Sequence, residues 1–157
     1  MRKSYYIVSI TTFVLKEMIM NTAPTAPYAA LLLRLSLAIL FFAHAGLKFF
    51  VYTPTGTAQF FESVGVPGWM AYITITWEFL GAIALLVGFK PRLAALSLIP
   101  VLLGAIFTVH GASGFWFTNP NGGWEYPAFW IIGLISLALI GDGPLHLKSS
   151  FKVLNLI

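Results

Sequence analysis

Residues 28–50 read YAALLLRLSLAILFFAHAGLKFF, an apolar run that carries three basic side chains: Arg34, His44 and Lys48. About 20 helical residues cross the ~30 Å hydrocarbon core of a bilayer, so the run predicts a membrane span. A charge at the centre of such a helix costs ~2.5–3.5 kcal/mol on insertion scales and normally turns towards the protein interior and a partner. At 100° per residue, Lys48 lies about 40° and His44 about 80° from Arg34 around the helix. All three therefore share one arc, and His44 and Lys48 are stacked one turn apart.

The rest of the chain continues in this manner. Its 157 residues are 59% hydrophobic and only 9% charged, with a mean hydropathy of +0.87. Soluble domains carry about a quarter charged residues, so this composition could not cover a water-facing surface. Further apolar stretches follow at about 69–89, 93–111 and 126–141. The last is short and relies on a thin local bilayer or an extension towards Asp142, where Gly141-Asp142-Gly143-Pro144 ends it. The prediction is an all-α membrane four-helix bundle over residues 28–147.

Residues 1–27 form a leader whose apolar part, 4–15, is too short to span. It reads as a late start at Met18 or Met20, an interfacial helix, or the apolar core of a signal peptide without a good cleavage site. Residues 148–157 are a tail. Arg2, Lys3 and Lys16 precede the first span, Lys90 and Arg92 separate the second and third, and Lys148 and Lys152 follow the fourth. Residues 51–68 and 112–125 contain neither Lys nor Arg. This asymmetry predicts cytoplasmic N- and C-termini and a bacterial inner-membrane location. The basic residues are scattered rather than arranged in a stripe, so nucleic acid is not an expected partner. The lipid bilayer is.

The outer connections carry structure of their own. Phe60, Phe61 and Val64 within 56–65 predict a short amphipathic helix in the interface. The aromatic, turn-rich segment 114–124 predicts headgroup-level anchors, or else a lid on a ligand cavity.

Glu78, nine residues into the second span, falls near mid-membrane. Thr74, Gly81 and Ala82 share its face, and small residues of this kind allow close helix approach. His110 ends the third span and Glu125 opens the fourth. The expected site is an outward-facing polar chamber: Arg34, His44 and Lys48 against Glu78, capped by His110, Glu125 and Tyr126, with Arg34 reaching Glu78 from below. No catalytic residue is identified. The chain has no cysteine, which excludes disulfides and thiolate metal sites. His44 and His110 alone are thin ground for haem, and no nucleotide-binding or metalloprotease motif occurs. No metal is expected.

These same residues carry a family resemblance. Leu33-Arg34-Leu35 followed by His44-Ala45-Gly46-Leu47-Lys48 resembles the first-helix signature of the DoxX family. Gly65-Val66-Pro67, Glu78-Phe79-Leu80-Gly81, Leu85-Leu86-Val87-Gly88-Phe89, Arg92-Leu93-Ala94-Ala95-Leu96, His110 and Gly122-Gly123-Trp124-Glu125-Tyr126 continue the likeness in order. Ala45 replaces a glycine common after the histidine. The resemblance implies a small four-helix inner-membrane protein, with some relatives linked to quinone-coupled sulfur oxidation and others to oxidative or thiol stress.

The leading functional expectation is a membrane subunit of an oxidoreductase system. It would hold no covalent cofactor, with quinone as the candidate ligand and a soluble or membrane oxidoreductase as partner. The competing readings are a small-solute or anion binding or transport protein, and a scaffold for a complex. A homo-oligomer is compatible with each.

Overall fold

A computed structural model describes residues 25–147, and within these the protein is entirely helical. The expectations placed on the leader up to residue 24 and on the tail from 148 lie outside the described residues. Five α-helices follow one another: α1 (Ala26–Gly46), α2 (Pro54–Ser63), α3 (Trp69–Val87), α4 (Pro91–Ala105) and α5 (Glu125–Ile140). Helix α1 runs on into a π-helical turn, Leu47–Val51, and α4 into another, Ile106–His110, followed by a 3-10 turn, Gly111–Ser113.

With these extensions, the segments Ala26–Val51, Trp69–Val87 and Pro91–Ser113 are long and apolar enough to cross a membrane. Helix α5 is equally apolar but has only 16 residues. The four apolar helices pack as a ring, α1 on α3, α3 on α4, α4 on α5 and α5 back on α1. Their shared core is built from Leu37, Ala38 and Phe41 of α1, Ala82 and Leu85 of α3, Ala95, Leu98 and Leu102 of α4, and Trp130, Leu134 and Leu137 of α5.

The partition of side chains is the reverse of a soluble bundle's. Leu32, Phe107, Phe129 and Leu139 are largely exposed, while Arg34 and Glu78 are buried. Water would penalise such an exterior, whereas lipid chains match it. Inside, packing depends on small residues. A methyl group added at Gly81 of α3 would come within 2.7 Å of the Leu98 side chain on α4, so only glycine permits that approach.

Helix α3 ends at Gly88 (φ +72°), whose left-handed conformation lets Phe89 N–H reach the Ala84 carbonyl at 2.8 Å. Glycine adopts this conformation without a Cβ penalty. A Cβ at Gly88 would also strike the Arg34 guanidinium at 2.6 Å. Lys90 then turns the chain tightly, and Pro91 opens α4.

Helix α2 occupies the position expected for the amphipathic segment. Thr53 caps it, its hydroxyl accepting from Gly56 N–H at 3.1 Å. Buried Thr57 donates towards the Thr53 carbonyl at 2.9 Å and the Lys48 carbonyl at 3.1 Å. The second contact fastens α2 to the π turn that ends α1.

Candidate functional site

A π turn inserts one residue into the helical ladder, and such insertions recur at functional sites. Both π turns here carry a residue of interest. Lys48 lies in the first and His110 closes the second. Between the N-terminal half of α3 and the C-terminal half of α4 lies a cavity of about 810 Å³, with α2 across it. Cavities of ~300–1,000 Å³ suit small organic ligands. Most of the wall is apolar, including Met70, Ile73, Val101 and Ala105, while His44, Lys48, Glu78, His110 and Tyr126 supply its ionisable groups. A smaller hollow of about 280 Å³ beside Phe49 and Phe79 has no ionisable group in its wall.

The Lys48 ammonium donates to both carboxylate oxygens of Glu78, at 2.8 Å to Oε1 and 2.7 Å to Oε2. The Glu78 side chain is almost fully buried, while that of Lys48 retains 23% exposure. A lone carboxylate at this depth would be very costly, and the two-pronged contact offsets its desolvation.

His44 Nδ1 is 3.0 Å from the Leu40 carbonyl one turn earlier, and the ring meets Trp130 edge-on at 4.8 Å. Trp130 also packs on Phe41 at 4.6 Å. Its Nε1–H is buried and finds no partner among the described residues. His110 Nδ1 is 2.9 Å from the Gly122 carbonyl, and its Nε2 is 2.7 Å from the Tyr126 hydroxyl.

Arg34 and Glu125 are placed elsewhere. Arg34 does not reach Glu78. Its guanidinium donates to the Asp142 and Leu145 carbonyls, each at 2.8 Å, because it lies more than three helical turns before Lys48 and faces the opposite end of the bundle. Glu125 accepts from Phe117 N–H at 2.9 Å and so braces the aromatic loop rather than lining the cavity. The cavity is closed by Phe60, Phe61 and Val64 around α2, and residues 114–124 take no part in its wall. The amphipathic face expected to rest in the interface is thus turned, at least in part, onto the cavity.

Trp130 lines the cavity too, and the sequence alone did not single it out. The signal lay in the periodicity of α5, where Pro127, Trp130, Leu134 and Leu137 form one buried stripe. The part played by α2 had no comparable signal, since its amphipathicity is equally satisfied by lipid.

These features define a helical multi-pass membrane protein with a ligand-sized cavity bounded by a buried ion pair. The chain belongs to the DoxX family, which matches residues 29–111. It is also similar to a Bacillus subtilis (strain 168) protein named "Putative oxidoreductase CatD", with 35% identity over 112 residues, covering 71% of this chain and 78% of that one. No solved structure matches. The family match takes in Arg34, His44, Lys48, Glu78 and His110, while the likeness read in the sequence at Gly122–Tyr126 lies beyond it.

Proposed function

We propose that this protein is the membrane subunit of an oxidoreductase system and that its cavity holds a lipophilic quinone-type carrier. The observation that carries this reading is the cavity itself: apolar walls suited to a ring and hydrocarbon tail, with His44, Lys48, Glu78, His110 and Tyr126 grouped along it. The oxidoreductase name of the Bacillus subtilis relative points the same way. The electrons are assigned to a soluble or membrane partner. Sulfur or oxidative-stress metabolism is the proposed setting.

In this reading α5 is the fourth span, both termini face the cytoplasm of a bacterial inner membrane, and the cavity faces outward. The anion-binding alternative needs a free cation. Lys48 is engaged by Glu78 on both carboxylate oxygens, which weakens that alternative. The scaffold alternative draws on the same ion pair as a lock between helices.

The test is extraction of quinone or quinol from purified protein, together with the shift in thermal stability on adding decylubiquinone or, anaerobically, decylubiquinol. Co-purifying quinone or quinol, or a saturable rise in melting temperature, is expected. Neither effect, in protein shown to be folded, would reject the carrier site and favour the scaffold.

A further inference from the structure

Two histidines on the cavity wall have their tautomers fixed by the backbone. A carbonyl oxygen only accepts hydrogen bonds, so the 3.0 Å contact to Leu40 places the proton of neutral His44 on Nδ1. Its Nε2 is then a bare lone pair. The half-buried ring is held against Trp130, and Nε2 has no hydrogen-bond partner among the described residues. It is not among the buried unpartnered atoms either, and His44 is one of the residues that line the cavity.

The same logic applies across the wall. The Gly122 carbonyl at 2.9 Å places the proton of neutral His110 on Nδ1, leaving Nε2 to accept from the Tyr126 hydroxyl at 2.7 Å. Tyr126 has thereby used its proton, and only oxygen lone pairs remain for a ligand. Tyr126 and Trp130 are one turn apart on α5, so the two acceptors sit near each other along one wall. On the donor side, Lys48 spends two of its three N–H bonds on Glu78. The Trp130 Nε1–H is shut away from solvent.

From this arrangement we infer that the cavity selects ligands that donate a hydroxyl hydrogen bond: it holds the reduced, quinol form of an aromatic carrier in preference to the quinone, with His44 Nε2 as acceptor. This rests on the carrier-site reading and adds its chemical direction. A quinone or an ether offers only acceptors. Seated here it displaces water from His44 Nε2 and returns nothing, and a buried polar group left unpaired in this way costs about tenfold or more in affinity.

The test compares 4-nonylphenol with 4-nonylanisole, which differ by one methyl group in place of the hydroxyl hydrogen. An anaerobic comparison of duroquinol with duroquinone accompanies it. Binding to the purified full chain in detergent is measured by isothermal titration at matched free concentrations. The phenol and the quinol are expected to bind at least about tenfold tighter than their partners. In His44→Leu the phenol-to-anisole ratio falls towards one, while anisole affinity is kept.

Equal or inverted affinities in the unmodified protein overturn the inference and leave the carrier site standing. A preference that persists in folded His44→Leu also overturns the role of His44. If that variant does not fold, the two wild-type ratios decide alone. Absence of binding by all four probes removes the carrier site itself.

Discussion

Lys48 and Glu78 join α1 to α3 through two contacts of 2.8 and 2.7 Å made inside a largely apolar assembly. The pair has a mechanical consequence independent of any ligand. Replacing one member leaves the other desolvated without compensation, whereas replacing both removes the problem.

Lys48→Met and Glu78→Leu are therefore each expected to lower stability by about 2–4 kcal/mol, and the double variant to recover at least about half of the summed loss. Chemical unfolding in detergent micelles measures this cycle. Additive losses would show that the two side chains are not energetically coupled.

Gly81 and Leu98 make a second, purely steric couple. The added methyl of Gly81→Ala meets the Leu98 side chain at 2.7 Å, and forced overpacking costs about 1–3 kcal/mol. Gly81→Ala should destabilise the protein, and Leu98→Ala in the same chain should relieve part of the clash. Thermal melts of the two single variants and the double variant give the answer. A neutral Gly81→Ala would mean that α3 and α4 separate freely at this point.

Arg34 holds the segment after α5. Its guanidinium bridges two carbonyls, those of Asp142 and Leu145, and Leu147 N–H reaches the Gly88 carbonyl at 3.1 Å. Hydrogen bonds from a charged donor are worth about 1.5–3 kcal/mol each. Lysine cannot reproduce the planar fork. Arg34→Lys is expected to expose residues 141–147 to faster amide exchange and proteolysis, with binding of decylubiquinone unchanged. Loss of that binding with an unaltered exchange pattern would instead put Arg34 in the cavity's service.

What the sequence could reveal follows from how each feature arises. The helices and the inward arc of His44 and Lys48 depend on local periodicity, which is printed in the order of residues. The meeting of Lys48 with Glu78 was open to the same logic, since both faces could be placed and a buried carboxylate needs a cation. The destination of Arg34 was not. Its acceptors are backbone carbonyls more than a hundred residues away, and any residue type could supply them. Residues 141–144 announced only a helix end. Likewise, the hydrogen bond between Tyr126 and His110 depends on where the loop after α4 returns, which hydropathy does not encode.

Thr57 tests whether α2 is fastened to the cavity it covers. Its hydroxyl is buried and lies within hydrogen-bonding distance of the Lys48 and Thr53 carbonyls. Valine has nearly the same shape but no donor, so Thr57→Val removes the hydrogen bonding while keeping the volume. The loss should be about 1 kcal/mol, felt locally because α2 packs chiefly on α3 and on the turn after α1. Amide exchange in Pro54–Ser63 should accelerate several-fold while exchange in α5 stays at its wild-type rate. Uniform acceleration throughout the bundle would show that α2 unfolds only with the whole protein and has no separate opening motion over the cavity.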